Sequence, residues 1–241
     1  VLARPSKRLR PGLKLLAGDA ALEIVESLGE GHWTVTARDV LGLLERSGEM
    51  PLPPYIKAAQ GTDGRYQTVY ARNAGSAAAP TAGLHFTDEV LDEVERVGTR
   101  VARVTLHVGV GTFMPVRAER LEEHTMHAEY YSVPEPAAQV VQDARRVVAA
   151  GTTVARTLET WAATGEPEGD SKLFIYPGYR WLAVSALLTN FHLPRSTLLA
   201  MVMSFGGKDL LRESYRVAVE ERYRFYSFGD AMLVLNGGAA L

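Results

Sequence analysis
From Thr87 to Leu235, strand-like apolar runs alternate with helix-like runs, and this alternation constrains the fold more than any other feature of the chain. Thr87–Val97 reads as a helix, because Val90, Leu91, Val94 and Val97 fall on one face and acidic residues on the other. Strands are expected at Thr99–Val108, Met126–Val133, Arg146–Ala150, Leu173–Tyr176, Ala186–Asn190 and Ala231–Leu235. Helices are expected at Glu135–Arg146 (entered through Pro134), Arg156–Ala162, Ser196–Ser204 and Asp209–Tyr223. Strands separated by helices predict an α/β domain with a largely parallel sheet.

The region before Thr87 is different. Leu13–Ala17, Ala21–Leu28 and His32–Ala37 read as short strands separated by turns such as Gly18-Asp19 and Gly29-Glu30-Gly31. They make too few strands to close a barrel by themselves. Asp39–Arg46 reads as a short helix with an aspartate N-cap. A stretch rich in proline and glycine with little periodicity follows, and such irregular segments inside folded proteins are usually functional or hinges. Two domains are therefore expected, 1–50 as part of an all-β unit and 51–241 as an α/β unit, with 51–86 an irregular, mobile hinge and active-site segment.

Composition removes several function classes. The 241 residues contain no cysteine, which excludes disulfides, thiolate catalysis and cysteine-ligated metal sites. A net charge of −2 does not announce a nucleic-acid binder, so binding of that kind needs a local basic patch. Lys7, Arg8 and Arg10, in "ARPSKRLRPG", form the tightest such cluster. No apolar run is long enough to span a membrane, and no signal-peptide pattern is present. The chain starts at Val1 inside what reads as a domain, so preceding residues are expected.

Polar residues gather where strands end, and in open α/β sheets ligands bind outside the carboxyl ends of the strands. "LLTNFHLPRSTLL" puts His192 and Arg195 between a strand and a helix capped by Ser196 or Thr197, whose first-turn N–H groups favour an anion. "PTAGLHFT" places His85 before a helix, and "VTLHVGVGTF" places His107 at a strand end. "VAAGTTVARTLET" carries Thr152, Thr153 and Arg156, and "FIYPGYRW" carries Tyr176. One such loop has about even odds of being only a helix cap and a solvated arginine, but five point to one convergent site. His85, His107 and His192 are expected to line one cleft. Gly109-Val110-Gly111 lacks the third glycine and the following helix of a dinucleotide loop. His124 and His127 suggest a metal, but they fall in or beside an expected strand, where residues three apart face opposite ways. No shared metal is expected there.

"MPLPPYI", "RYQTVYA", "APTAGLHFT", "VTLHVGVGTFMPV", "EEHTMHAEYYSV", "GTTVARTLE", "LFIYPGYRW", "LLTNFHLPRSTLL" and "ERYRFYSFGDAML" occur in this order. Over residues 4–235 the chain resembles the S-adenosylmethionine:tRNA ribosyltransferase-isomerases of queuosine biosynthesis. The resemblance implies that 1–50 is the C-terminal part of a small β-barrel domain whose remainder precedes this sequence. It implies transfer and isomerisation of the ribosyl group of S-adenosylmethionine onto the 7-aminomethyl-7-deazaguanine wobble base of tRNA. Epoxyqueuosine forms, and adenine and methionine leave. S-adenosylmethionine is a co-substrate, and no cofactor or metal is required.

That chemistry needs a base for the acidified C5′ protons and an acid for departing adenine. His107, His192, His85 and His127 are the acid–base candidates, the first two ranked highest. Thr81, Thr152 and Thr153 are candidates to hold ribose or carboxylate oxygens, and Arg156 or Arg195 the methionine carboxylate. Phe86, Phe113, Phe191 and Tyr176 are candidates to stack on adenine or the modified base, and Lys7, Arg8 and Arg10 to hold RNA phosphates. A cytoplasmic monomer acting on the tRNA anticodon loop, with no membrane partner, is expected. The alternatives are an RNA-binding module without catalysis, an S-adenosylmethionine-dependent RNA methyltransferase, or a metal-dependent hydrolase built on His124 and His127.

Overall fold
A computed structural model describes residues 1–235 except 4, 19, 30, 49–51, 53–55, 57–64, 77 and 110–119. It divides into two units, Val1–Ile56 and Lys57–Leu241. In the first, β1 (Lys14–Ala17), β2 (Ala20–Gly29) and β3 (His32–Thr36) form an antiparallel sheet in chain order. A bulge between Ile24 and Glu26 bends β2. The helix α1 (Val40–Ser47) starts where the Gly42 N–H donates to Asp39 Oδ1 at 2.9 Å. Ile24, Trp33 and Leu43 are buried, and Trp33 Nε1–H donates to Ser6 Oγ at 2.9 Å.

The second unit is a mixed α/β fold with two small sheets. One is β4 (Thr105–Leu106), β5 (Glu129–Ser132) and β7 (Glu168–Ser171), antiparallel throughout. The other is β6 (Val148–Ala150), β8 (Ala186–Asn190) and β9 (Ala231–Leu235), in which β6 runs parallel to β8 and β9 antiparallel to it. Among the described residues β6–β8 is thus the one parallel pair, and the expected largely parallel sheet is not what forms. The cause is connectivity. The helix α4 (Thr152–Thr164) leaves β6 and leads into β7, in the other sheet, so strand–helix alternation here does not build successive parallel neighbours.

The helices α2 (Asp88–Arg96), α3 (Glu135–Asp143), α5 (Thr197–Gly206) and α6 (Lys208–Glu220) complete the unit. Its main core joins Ala149, Ala155, Leu158, Ile175, Leu187, Val202 and Phe205. Two strand expectations and one helix start need correction. Thr99–Val108 contributes only Thr105–Leu106 as strand, and Leu173–Tyr176 is irregular. The strand in that region is Glu168–Ser171, whose residues have weak strand preference and are held by pairing with β5. Helix α4 starts at Thr152, four residues before Arg156, because Gly151 turns the chain at φ 106° directly after β6.

The described part of 51–86 has little regular structure, as expected, and is anchored at a few points. Tyr66 is 1% exposed, with its hydroxyl 3.1 Å from Ser227 Oγ and its ring edge-on to Phe228. Ala82 and Gly83 are buried in the 3-10 turn Thr81–His85. Anchoring by these few side chains replaces the apolar periodicity that the segment lacks.

Candidate functional site
The two sheets carry facing side chains set by the alternation of the strand. Leu106 pairs with Tyr131, so Glu129, Tyr131, Leu106 and Val108 share the inward face, while His107 and Tyr130 take the other. A small cleft opens on that inward face. Leu106, Val108, Met126 and Glu129 form one side of it. Thr152, Thr153 and Arg156 from the first turns of α4 form the floor, and Leu173, Phe174 and Ile175 another wall. Thr197, Leu198 and Met201 from α5 close it.

The floor is an ion pair. Arg156 and Glu129 are 5% and 4% exposed, with Arg156 Nη2 against Glu129 Oε2, and Glu129 Oε1 accepts the Gly109 N–H at 2.8 Å. Burial pushes the guanidinium down to about 10, which still leaves it charged near neutrality. One helical turn further, Glu159 is fully buried and accepts the N–H groups of Leu182, Ala183 and Val184 at 2.8–2.9 Å and the Tyr179 hydroxyl at 3.1 Å. It ties α4 to the chain entering β8. Sequence reading missed both glutamates. The one signal was a carboxylate at the buried phase of a strand (Glu129, beside the buried Tyr131) and of a helix (Glu159, beside Leu158).

Of the expected site residues, Thr152, Thr153 and Arg156 meet in this cleft. Tyr176 lies one ring away, tilted against Phe174 at 5.2 Å, and His124 meets the same Phe174 edge-on at 5.1 Å. His127 is exposed, and both histidines precede β5 rather than lying in it, so the opposite-face argument about them does not hold. No cluster of three or more His, Asp or Glu suited to a metal occurs among the described residues.

None of the three histidines expected to share one cleft lines this one. His107 is on the other face of β4–β5, stacked on Tyr130 at 5.7 Å, with its Nδ1 buried and unbonded among the described residues. His192 Nε2 lies 2.8 Å from Thr189 Oγ1, and His85 Nε2 accepts from Asn190 Nδ2 at 3.1 Å. Consecutive strand residues project to opposite faces, so the two rings attach to opposite sides of the end of β8. The shared strand end is visible in sequence, but the face each ring takes depends on the pleat. Burial pushes His192 down to about 4, so it is neutral near pH 7. His85 is exposed, and the Arg224 hydrogen bonds hold the Asp230 carboxyl below its ordinary range.

Phe191 is 5% exposed within a ring cluster of Tyr215, Tyr223 and Phe225. Arg195 is exposed at a left-handed φ of 59° in the turn before α5, whose N-cap is Ser196. Thr81 and Phe86 are half-buried at the two ends of the 3-10 turn that carries His85. Phe113 lies outside the described residues. Lys7, Arg8 and Arg10 are exposed in the first unit, without an ion-pair partner among the described residues.

In this mixed α/β unit the first turns of α4 and one buried ion pair thus line a small, largely apolar cleft. A family model described as "Queuosine biosynthesis protein" matches residues 1–234, and the chain belongs to that family. Among curated relatives, it is 68% identical over 241 residues to the S-adenosylmethionine:tRNA ribosyltransferase-isomerase of Rubrobacter xylanophilus, covering 100% of this chain and 72% of that one. The enzyme of the same name from Moorella thermoacetica is 52% identical over 97% of this chain and 72% of its own. The crystal structure of S-adenosylmethionine tRNA ribosyltransferase from Thermotoga maritima matches with a TM-score of 0.54 and 34% identity, over 97% of this chain and 69% of that chain.

Proposed function
We propose that this chain is an S-adenosylmethionine:tRNA ribosyltransferase-isomerase. It moves the ribosyl group of S-adenosylmethionine to the aminomethyl group of the 7-deazaguanine wobble base of tRNA and rearranges it to epoxyqueuosine. The observation that carries this reading is 68% identity along all 241 residues to a relative of that name. The sulfonium acidifies the C5′ protons, adenine leaves when protonated, and the C5′–S bond breaks to release methionine with its sulfur. S-adenosylmethionine is consumed as co-substrate, and the reaction asks for no resident metal.

His85 is the acid–base group we favour. Its ring is exposed and anchored by Asn190, which supports proton transfer to or from a ligand. His107 and His192 act in this reading as packing and positioning groups, and Tyr176 and Phe86 remain candidates for stacking on a base. Residues 1–50 are proposed as the C-terminal part of a β-barrel domain, with Lys7, Arg8 and Arg10 on tRNA phosphates. No helix among the described residues is long and apolar enough to cross a membrane. We place the chain's action on cytoplasmic tRNA, as a monomer.

The test is product identity. Incubation with S-adenosylmethionine and tRNA bearing the aminomethyl-deazaguanine base should release adenine and methionine. His85→Ala should slow turnover by roughly 10²–10⁴-fold. Formation of S-adenosylhomocysteine with methylated RNA would instead make the chain a methyltransferase, and binding with no turnover an RNA-binding module.

A further inference from the structure
We propose that the cleft above Arg156 and Glu129 receives the amino-acid end of S-adenosylmethionine, the carboxylate on Arg156 and the first turn of α4, the ammonium towards Glu129. This rests on the reaction proposed above and adds where its sulfonium substrate is held.

A buried ion pair is a poor stabilising device, since apolar residues of similar volume usually serve folding as well or better. Its presence at the floor of a cleft therefore calls for a ligand. Arg156 offers five N–H donors in a fixed fork. Nη2 meets Glu129, and no hydrogen bond from Nε or Nη1 occurs among the described residues. Beside it, α4 begins without a side-chain cap, so the first-turn N–H groups of Thr152 and Thr153 lack intrahelical acceptors. Both residues line the same cleft, and α5 opposite is already capped by Ser196. A guanidinium and a bare helix start converging on one cleft suit a carboxylate.

Charge balance narrows the ligand class. The site carries one buried cation and one buried anion, and an α-amino acid carries one of each. A phosphodiester would bring an anion with nothing for Glu129 to attract. The remaining walls near this floor are apolar, among them Met126, Val108 and Ile175, and fit an unbranched thioalkyl chain. The Phe174 ring in the wall can face a sulfonium as rings face other organic cations.

Calorimetry on the unaltered protein with L-methionine, L-methioninol, 4-(methylthio)butanoate and inorganic phosphate tests the assignment without any variant. Methionine should bind and compete with S-adenosylmethionine. Methioninol, which lacks the carboxylate, should bind about 10–100-fold more weakly, and 4-(methylthio)butanoate, which lacks the ammonium, should also weaken. Arg156→Lys should raise KM for S-adenosylmethionine by a similar factor with kcat less affected, as loss of ground-state binding requires. Methioninol binding as well as methionine overturns the proposal, as does phosphate binding in place of methionine or an unchanged KM in Arg156→Lys. If the protein yields S-adenosylhomocysteine while the methionine series behaves as expected, the reaction is wrong and the pocket stands. Adenine release with an indifferent methionine series means the reverse.

Discussion

Glu159 offers the sharpest test of how the site is built. Its carboxylate is fully buried and is the shared acceptor for three consecutive backbone N–H groups, Leu182 to Val184, and for Tyr179. Replacing it by Gln keeps the volume and the oxygen facing Ala183 and Val184. It also turns an amide N–H₂ onto the Leu182 N–H, so two donors meet. Each lost charge-assisted bond costs about 1.5–3 kcal/mol, and Tyr179 can recover part by accepting from the new amide. The net cost for Glu159→Gln is then about 2–4 kcal/mol. Glu159→Ala, which strands three buried donors and leaves a cavity, should exceed it. A domain of this size loses about 2–4 °C of melting temperature per kcal/mol, so Gln should lower Tm by roughly 4–16 °C. Thermal melts followed by circular dichroism give the shift, and hydrogen exchange at the Leu182, Ala183 and Val184 amides locates it. Unchanged melting with unchanged protection of those three amides would refute the hydrogen-bond reasoning. The same variant should disturb S-adenosylmethionine binding more than RNA binding, because Glu159 and Arg156 share one face of α4.

His192 makes stability depend on pH. Its folded pKa of about 4 lies below the ordinary 6.5, so the unfolded chain takes up the proton first. The contribution is fully present above about pH 6.5 and is lost as pH falls towards 4, by about 3 kcal/mol at most. Denaturant midpoints across that window should flatten in His192→Asn, and an equal slope in both proteins would count against the burial argument. Gly151→Ala forces a side chain to φ 106° at the start of α4 and should cost about 1–3 kcal/mol in urea unfolding, with weaker methionine binding as α4 shifts. Replacing Lys7, Arg8 and Arg10 together by Ala should weaken tRNA binding and shallow its salt dependence by about 2–3 in log–log slope, with methionine binding unchanged. An unaltered slope removes that cluster from the RNA interface.

Much of this protein was legible in its sequence because local physics settled it. The cap at Asp39, the helix that begins near Thr87, and the strand Ala186–Asn190 follow from short-range hydrogen bonding and apolar runs. The two-part organisation and the ordered motifs of the family are likewise properties of the chain read along its length. Thr152, Thr153 and Arg156 could be nominated because a strand end followed by a glycine turn and a helix start is a local pattern. What tertiary structure alone decided are the pairings and the faces. Nothing local tells β6 to run parallel to β8 while its own helix leads away to β7. Nothing local turns His107 away from the cleft while Leu106 and Val108 face it, since a one-residue choice of register sends a side chain to the opposite side of a sheet. The partner of Arg156 is Glu129, 27 residues earlier in the chain, and only the packing of α4 against β5 brings their charges into one buried pair.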